Sequence, residues 1–71
     1  MTTIYIWRDA LDENMFSFGI RNPSSKKYTA WGNCFIDGVE ECFGKHILKE
    51  LKSMPIGRPL AVLLNATLEP V

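Results

Sequence analysis

Hydrophobic and polar positions change period along the chain, and the changes mark its elements. Thr3–Trp7 (TIYIW) is β-branched and aromatic throughout, with Ile4 and Ile6 on one face and Tyr5 and Trp7 on the other, which predicts a strand with two usable faces. Arg8–Asn14 is polar and turn-rich, and Met15–Arg21 (MFSFGIR) then alternates, with Phe16, Phe18 and Ile20 inward and Ser17, Gly19 and Arg21 outward. Two strands around one polar connection make a hairpin. Asn22–Lys27 (NPSSKK) is a loop, because Pro23 ends the strand and the serines and lysines cannot build a core. Tyr28–Ile36 follows as a third strand, with a bulge expected at Gly32 and Asn33.

The period then shifts to that of a helix. Asp37 and Glu40 have the spacing of a capping box, and Val39, Cys42, Phe43, His46, Ile47, Leu51 and Met54 form one apolar stripe. Glu41, Lys45, Lys49 and Lys52 hold the opposite face, with Glu41 and Lys45 one turn apart as an ion pair, and Pro55 stops the run. Residues 56–59 (IGRP) read as a turn. Leu60–Leu64 is a short continuous apolar run, the form of a strand covered on both faces, and 66–71 is a short tail. The order is β-β-β-α-β in a single domain, 1–71. A single helix lying back over the sheet brings the last strand in parallel beside the first, so the expected fold is α+β: a four-stranded mixed sheet of order 3-2-1-4 with one amphipathic helix on one face.

This arrangement resembles the N-terminal half of the RNase H fold, and more closely the truncated version used by HicB antitoxins. The features that carry the resemblance run from Ile4 to Pro59: an opening strand, a turn bearing Asp9, Asp12 and Glu13, a second strand ending at Pro23, and a third strand. An Asp-x-x-Glu-Glu run (Asp37, Glu40, Glu41), one amphipathic helix and a Gly-x-Pro exit (Gly57, Pro59) complete it. Two features depart from it. The Pro-x-Leu-Pro-Gly-Cys run that joins strands two and three in HicB proteins is replaced by Asn22-Pro23-Ser24-Ser25, and no DNA-binding segment follows the domain. The resemblance implies a protein that covers a toxin or enzyme target.

Composition narrows the partners. The 71 residues carry eight basic and eight acidic side chains, a formal net charge of zero, which removes the long-range attraction a nucleic acid would exert. A chain this short barely offsets its conformational entropy by burial, so self-association or a protein partner is expected to add stability. Cys34 and Cys42 are the only cysteines and no secretion signal precedes them, which points to reduced thiols in a cytoplasmic protein. With His46 the sole histidine, no closed zinc site is expected, and no apolar run approaches the ~20 residues that span a bilayer.

Catalysis has thin support. Asp9 and Glu40 resemble the first two carboxylates of an RNase H-like two-metal site, but the last strand ends in Asn65-Ala66-Thr67 with no carboxylate before Glu69. Their simpler roles are turn residue and helix cap. Cys42 and His46 fall one turn apart on the expected buried face, where a histidine serves packing, and the glycine spacings match no phosphate loop. No cofactor is expected. Tryptophan and arginine dominate binding hot spots, so Tyr5, Trp7, Arg8, Arg21, Trp31 and Arg58 are the expected partner-binding residues. The reading is a non-catalytic inhibitor or antitoxin-like module that blocks a partner protein sterically, itself a homodimer paired through the edge of the third strand. Its alternatives are a reduced Mg²⁺-dependent nuclease and a protein that sequesters nucleotides or single-stranded nucleic acid.

Overall fold

The computed structural model describes residues 2–65 and Pro70. Three strands, β1 (Thr2–Arg8), β2 (Met15–Arg21) and β3 (Tyr28–Phe35), lead into two helices, α1 (Ile36–Phe43) and α2 (Lys45–Ser53), and a last strand, β4 (Leu60–Leu64). The strands form one sheet of order β3-β2-β1-β4. Every pairing in it is antiparallel. The chain is thus a small α+β protein with the expected strand order, but its sheet is not mixed and its helical segment is not one helix. The expected tail over 66–71 lies, apart from Pro70, outside the described residues.

Both corrections have one cause, at Gly44. Its φ of 93° lies in the region that favours glycine; its N–H still donates to the Glu40 carbonyl, closing α1, while its own carbonyl accepts from the Leu48 N–H, opening α2. An unbroken helix over residues 36–53 would rise about 27 Å and deliver the chain to the far end of the sheet, where β4 would have to run parallel to β1. Broken at Gly44, the segment folds into two short helices packed on each other. The chain therefore returns to the end it left: the Gly57 N–H donates to the Arg8 carbonyl, and Leu60 enters opposite Ile6.

The break also rotates the apolar stripe. Val39, Ile47, Leu48 and Leu51 are buried, whereas Cys42 and His46, expected on the buried face, are exposed. Lys45 is likewise turned, standing 4.0 Å from Glu40 rather than pairing with Glu41. The capping box does not form, because β3 runs straight into the helix with Phe35 at the cap position; Asp37 sits inside the first turn, where its charge still opposes the helix dipole favourably.

Both helices lie on one face of the sheet. The core joins Ile4, Ile6, Phe16, Val62 and Leu64 from the strands to Val39, Ile47, Leu48 and Leu51 from the helices, with Phe18, Cys34, Ile36, Phe43 and Leu60 packed around it. β4, expected to be covered on both faces, alternates instead, with Val62 and Leu64 buried and Ala61 and Leu63 exposed. Among the described residues, no helix covers its other side. A bulge is present in β3, centred one residue before the expected Gly32–Asn33: Phe18 opposes Gly32 and Gly19 opposes Ala30, which leaves Trp31 as the extra residue. Close to it, Gly19 admits no side chain, since a Cβ there would meet the Thr29 carbonyl oxygen at 1.9 Å.

A candidate protein-docking face

The face opposite the helices follows from the pairing registers, because residues directly opposed in an antiparallel ladder share a face. Ile4 and Ile6 face the helices, so Thr3, Tyr5 and Trp7 face away, and with them Ser17, Gly19, Arg21, Tyr28, Ala30, Asn33 and Phe35, with Ala61 and Leu63 from β4. Arg21 is the single charged residue among these. The centre of the face is aromatic. The Tyr28 ring meets Tyr5 edge-on at 5.2 Å between centroids and Trp7 at 5.9 Å, and the Arg21 guanidinium carbon stands 6.0 Å from the Tyr28 centroid. Such ring contacts add roughly 0.5–1.5 kcal/mol beyond area burial. Gly19, lying in register between Tyr5 and Ala30, is buried on this face, with the Thr29 carbonyl occupying the position a side chain would take. Tyr28 remains 41% exposed, Leu63 42% and Phe35 61%, with Leu63 and Phe35 on the two edge strands either side of the aromatic centre.

Of the six residues expected to bind a partner, the structure brings Tyr5, Trp7 and Arg21 together. The others lie apart. Arg8 follows Ile4 and Ile6 in strand period and so faces the helices, where its Nη2 donates to the carbonyls of Leu51 at 2.9 Å, Lys52 at 2.8 Å and Met54 at 3.5 Å. It caps the C-terminus of α2, with a positive charge at the negative end of the helix dipole. Trp31 is 60% exposed at the bulge of the edge strand and, among the described residues, makes no ring contact with the cluster. Arg58 is exposed in the turn before β4, at the opposite end of the sheet from Arg21. Tyr28 was missed as a site residue; its place at the start of a strand carrying Ala30 on the same side was the available signal.

The residues considered for chemistry are occupied differently. The Asp9 carboxylate accepts from the N–H groups of Leu11 at 2.7 Å and Asp12 at 3.2 Å, ordering the β1–β2 turn, and Glu40 is on the exposed side of α1 beside Lys45. Among the described residues, no three of His, Cys, Asp and Glu are grouped to hold a metal ion. Both cysteines are free thiols; burial, and secondarily the neighbouring Cys42, push the Cys34 thiol above its ordinary range, favouring its protonated form. No helix among the described residues is long and apolar enough to cross a membrane. Comparison of the chain with protein-family models, with curated proteins and with solved structures finds no match.

Proposed function

We propose that this protein is a non-catalytic binding module that acts by covering the working surface of another protein, in the manner of an inhibitor or antitoxin. The observation that carries the reading is the open sheet face, where Tyr5, Trp7 and Tyr28 pack against one another beside a single charge, Arg21, and Phe35 and Leu63 extend the apolar area outward. Aromatic anchors held rigid by their neighbours lose little entropy on binding, and arginine beside them supplies directional polar contacts. The HicB-type relationship enters as a special case of this proposal; it rests on the sequence pattern, and the antiparallel β4 adds nothing to it.

The test is capture from host lysate with the tagged chain, with and without nuclease treatment, against a folded Trp7→Ala, Tyr28→Ala double variant. The expected result is a stoichiometric protein that survives nuclease, is lost with the variant, and has its own activity inhibited when recombined with the purified wild-type chain. Capture that disappears with nuclease would move the face to nucleic-acid binding, where the same rings would stack on bases.

A further inference from the structure

β3 is the outermost strand on one side of the sheet, and its outer edge carries the free backbone groups of an eight-residue strand. The opposite edge is shorter and partly occupied: β4 has five residues, and Leu64 makes an antiparallel bridge to Pro70. Edges that remain single are guarded by charge, proline or a bulge. Tyr28–Phe35 contains no charged residue and no proline, and its one irregularity is the bulge at Trp31.

That bulge has an unusual effect. When two identical strands pair antiparallel about a two-fold axis normal to the sheet, opposed residues must lie on the same face. In a regular strand residues seven apart lie on opposite faces, so Tyr28 and Phe35 could never oppose each other. The extra residue at Trp31 reverses the alternation half-way along. Tyr28, Ala30, Asn33 and Phe35 all lie on the open face, opposite Arg21, Gly19, Ser17 and Met15, while Thr29 and Cys34 both lie on the helix side, opposite Ile20 and Phe16. Each half of β3 thereby matches the other half of a second copy.

We propose that β3 pairs with β3 of a second copy of this chain, antiparallel, with Tyr28 opposite Phe35, Thr29 opposite Cys34 and Ala30 opposite Asn33. Charge selects the same arrangement. Lys26 and Lys27 precede the strand and Asp37 follows it in the first turn of α1, so antiparallel pairing sets the basic end of each copy against the acidic end of the other. A parallel arrangement would set lysines against lysines and carboxylates against carboxylates. Trp31 falls opposite Gly32 across the axis, so the two bulges of the pair lie side by side. The formal net charge of zero adds no long-range repulsion between copies. The contact is isologous and closes on itself, giving a dimer whose open faces lie side by side on one continuous sheet.

The experiment is sedimentation equilibrium of the full chain over roughly 10 to 200 µM at two ionic strengths, with circular dichroism to confirm folding of each variant. The expected mass is twice 8.1 kDa. Lys26→Asp and Asp37→Lys should each weaken the dimer about 10-fold, and the two together should restore it to within about 3-fold of wild type. Lys26 is a safe site, because its φ of 59° is a conformation that Asp tolerates. A monomer throughout, or a dimer indifferent to these exchanges, would overturn the proposal, as would a dimer abolished by Trp7→Ala, which would place the contact on the open face. The target of that face is a separate matter: Trp7→Ala should abolish capture and leave the dimer, and Lys26→Asp the reverse.

Discussion

Arg8 ties the end of β1 to the end of α2, and the physical reasons reach beyond one contact. Its guanidinium satisfies carbonyls that a helix C-terminus leaves without partners, while its Nε is buried without a hydrogen-bond partner among the described residues, so the contact is an incompletely satisfied one. Hydrogen bonds from a charged donor contribute about 1.5–3 kcal/mol, and removing this one also exposes the last turn of α2. Arg8→Ala should therefore lower stability by about 1–3 kcal/mol, read as a fall in the urea midpoint with unchanged slope, and should leave capture through the open face intact once corrected for the folded fraction. Loss of capture from a fully folded Arg8→Ala chain would return this residue to the binding site. Its role was not legible in the local sequence. Only the two-residue period of β1 hinted that Arg8 shares a face with Ile4 and Ile6, and nothing near it in sequence names a helix end 43 residues away.

At the scale of elements, Gly44 decides more than any other position. It stands inside an apolar stripe that continues at helical spacing on both sides, so the pattern reads as one helix although the chain forms two. Both readings bury Val39, Ile47 and Leu51; they differ in where the chain comes out. Gly44→Ala must hold a Cβ at φ 93° and 3.2 Å from the His46 Nδ1, and should cost about 1–2 kcal/mol, with slower refolding if the α1–α2 turn forms early. A variant as stable as wild type would show that the turn does not need glycine. By contrast, the strands were legible almost to the residue: β2 spans Met15–Arg21 as its alternation predicts, between connections rich in turn residues, and β4 spans Leu60–Leu64, the bounds of the apolar run. In the Asn22–Lys27 loop, the Asn22 side chain accepts from the Ser24 and Ser25 N–H groups, which is the chemistry those residue types announce.

At the scale of the whole molecule, four strands with two short helices on one side leave a face that none of the described helices covers. A Cα radius of gyration of 11.5 Å over 71 residues describes a small body with a correspondingly small core. Edge pairing would add backbone hydrogen bonds and apolar burial without another residue of chain. The thermal midpoint should therefore rise with protein concentration in wild type and flatten in Lys26→Asp, as mass action requires when only the folded state associates. A midpoint independent of concentration across a hundredfold range would argue that the monomer is stable alone.

The local chemistry of the chain was enough to mark four strands, their loops, the helical segment and the two-faced character of β1, because each depends on side-chain period and turn residues within a few positions. The strand order 3-2-1-4 was also legible: short connections place β1, β2 and β3 side by side, and β4 does lie beside β1, although antiparallel to it and not through the parallel crossover expected. The direction of β4, the covered side of the sheet and the gathering of Tyr5, Trp7, Tyr28 and Arg21 were decided only in three dimensions. Helical periodicity records which residues can share a face; it does not record whether a glycine lets the axis turn back. The site depends on tertiary packing, because the side on which α1 and α2 lie determines which aromatic face is left open.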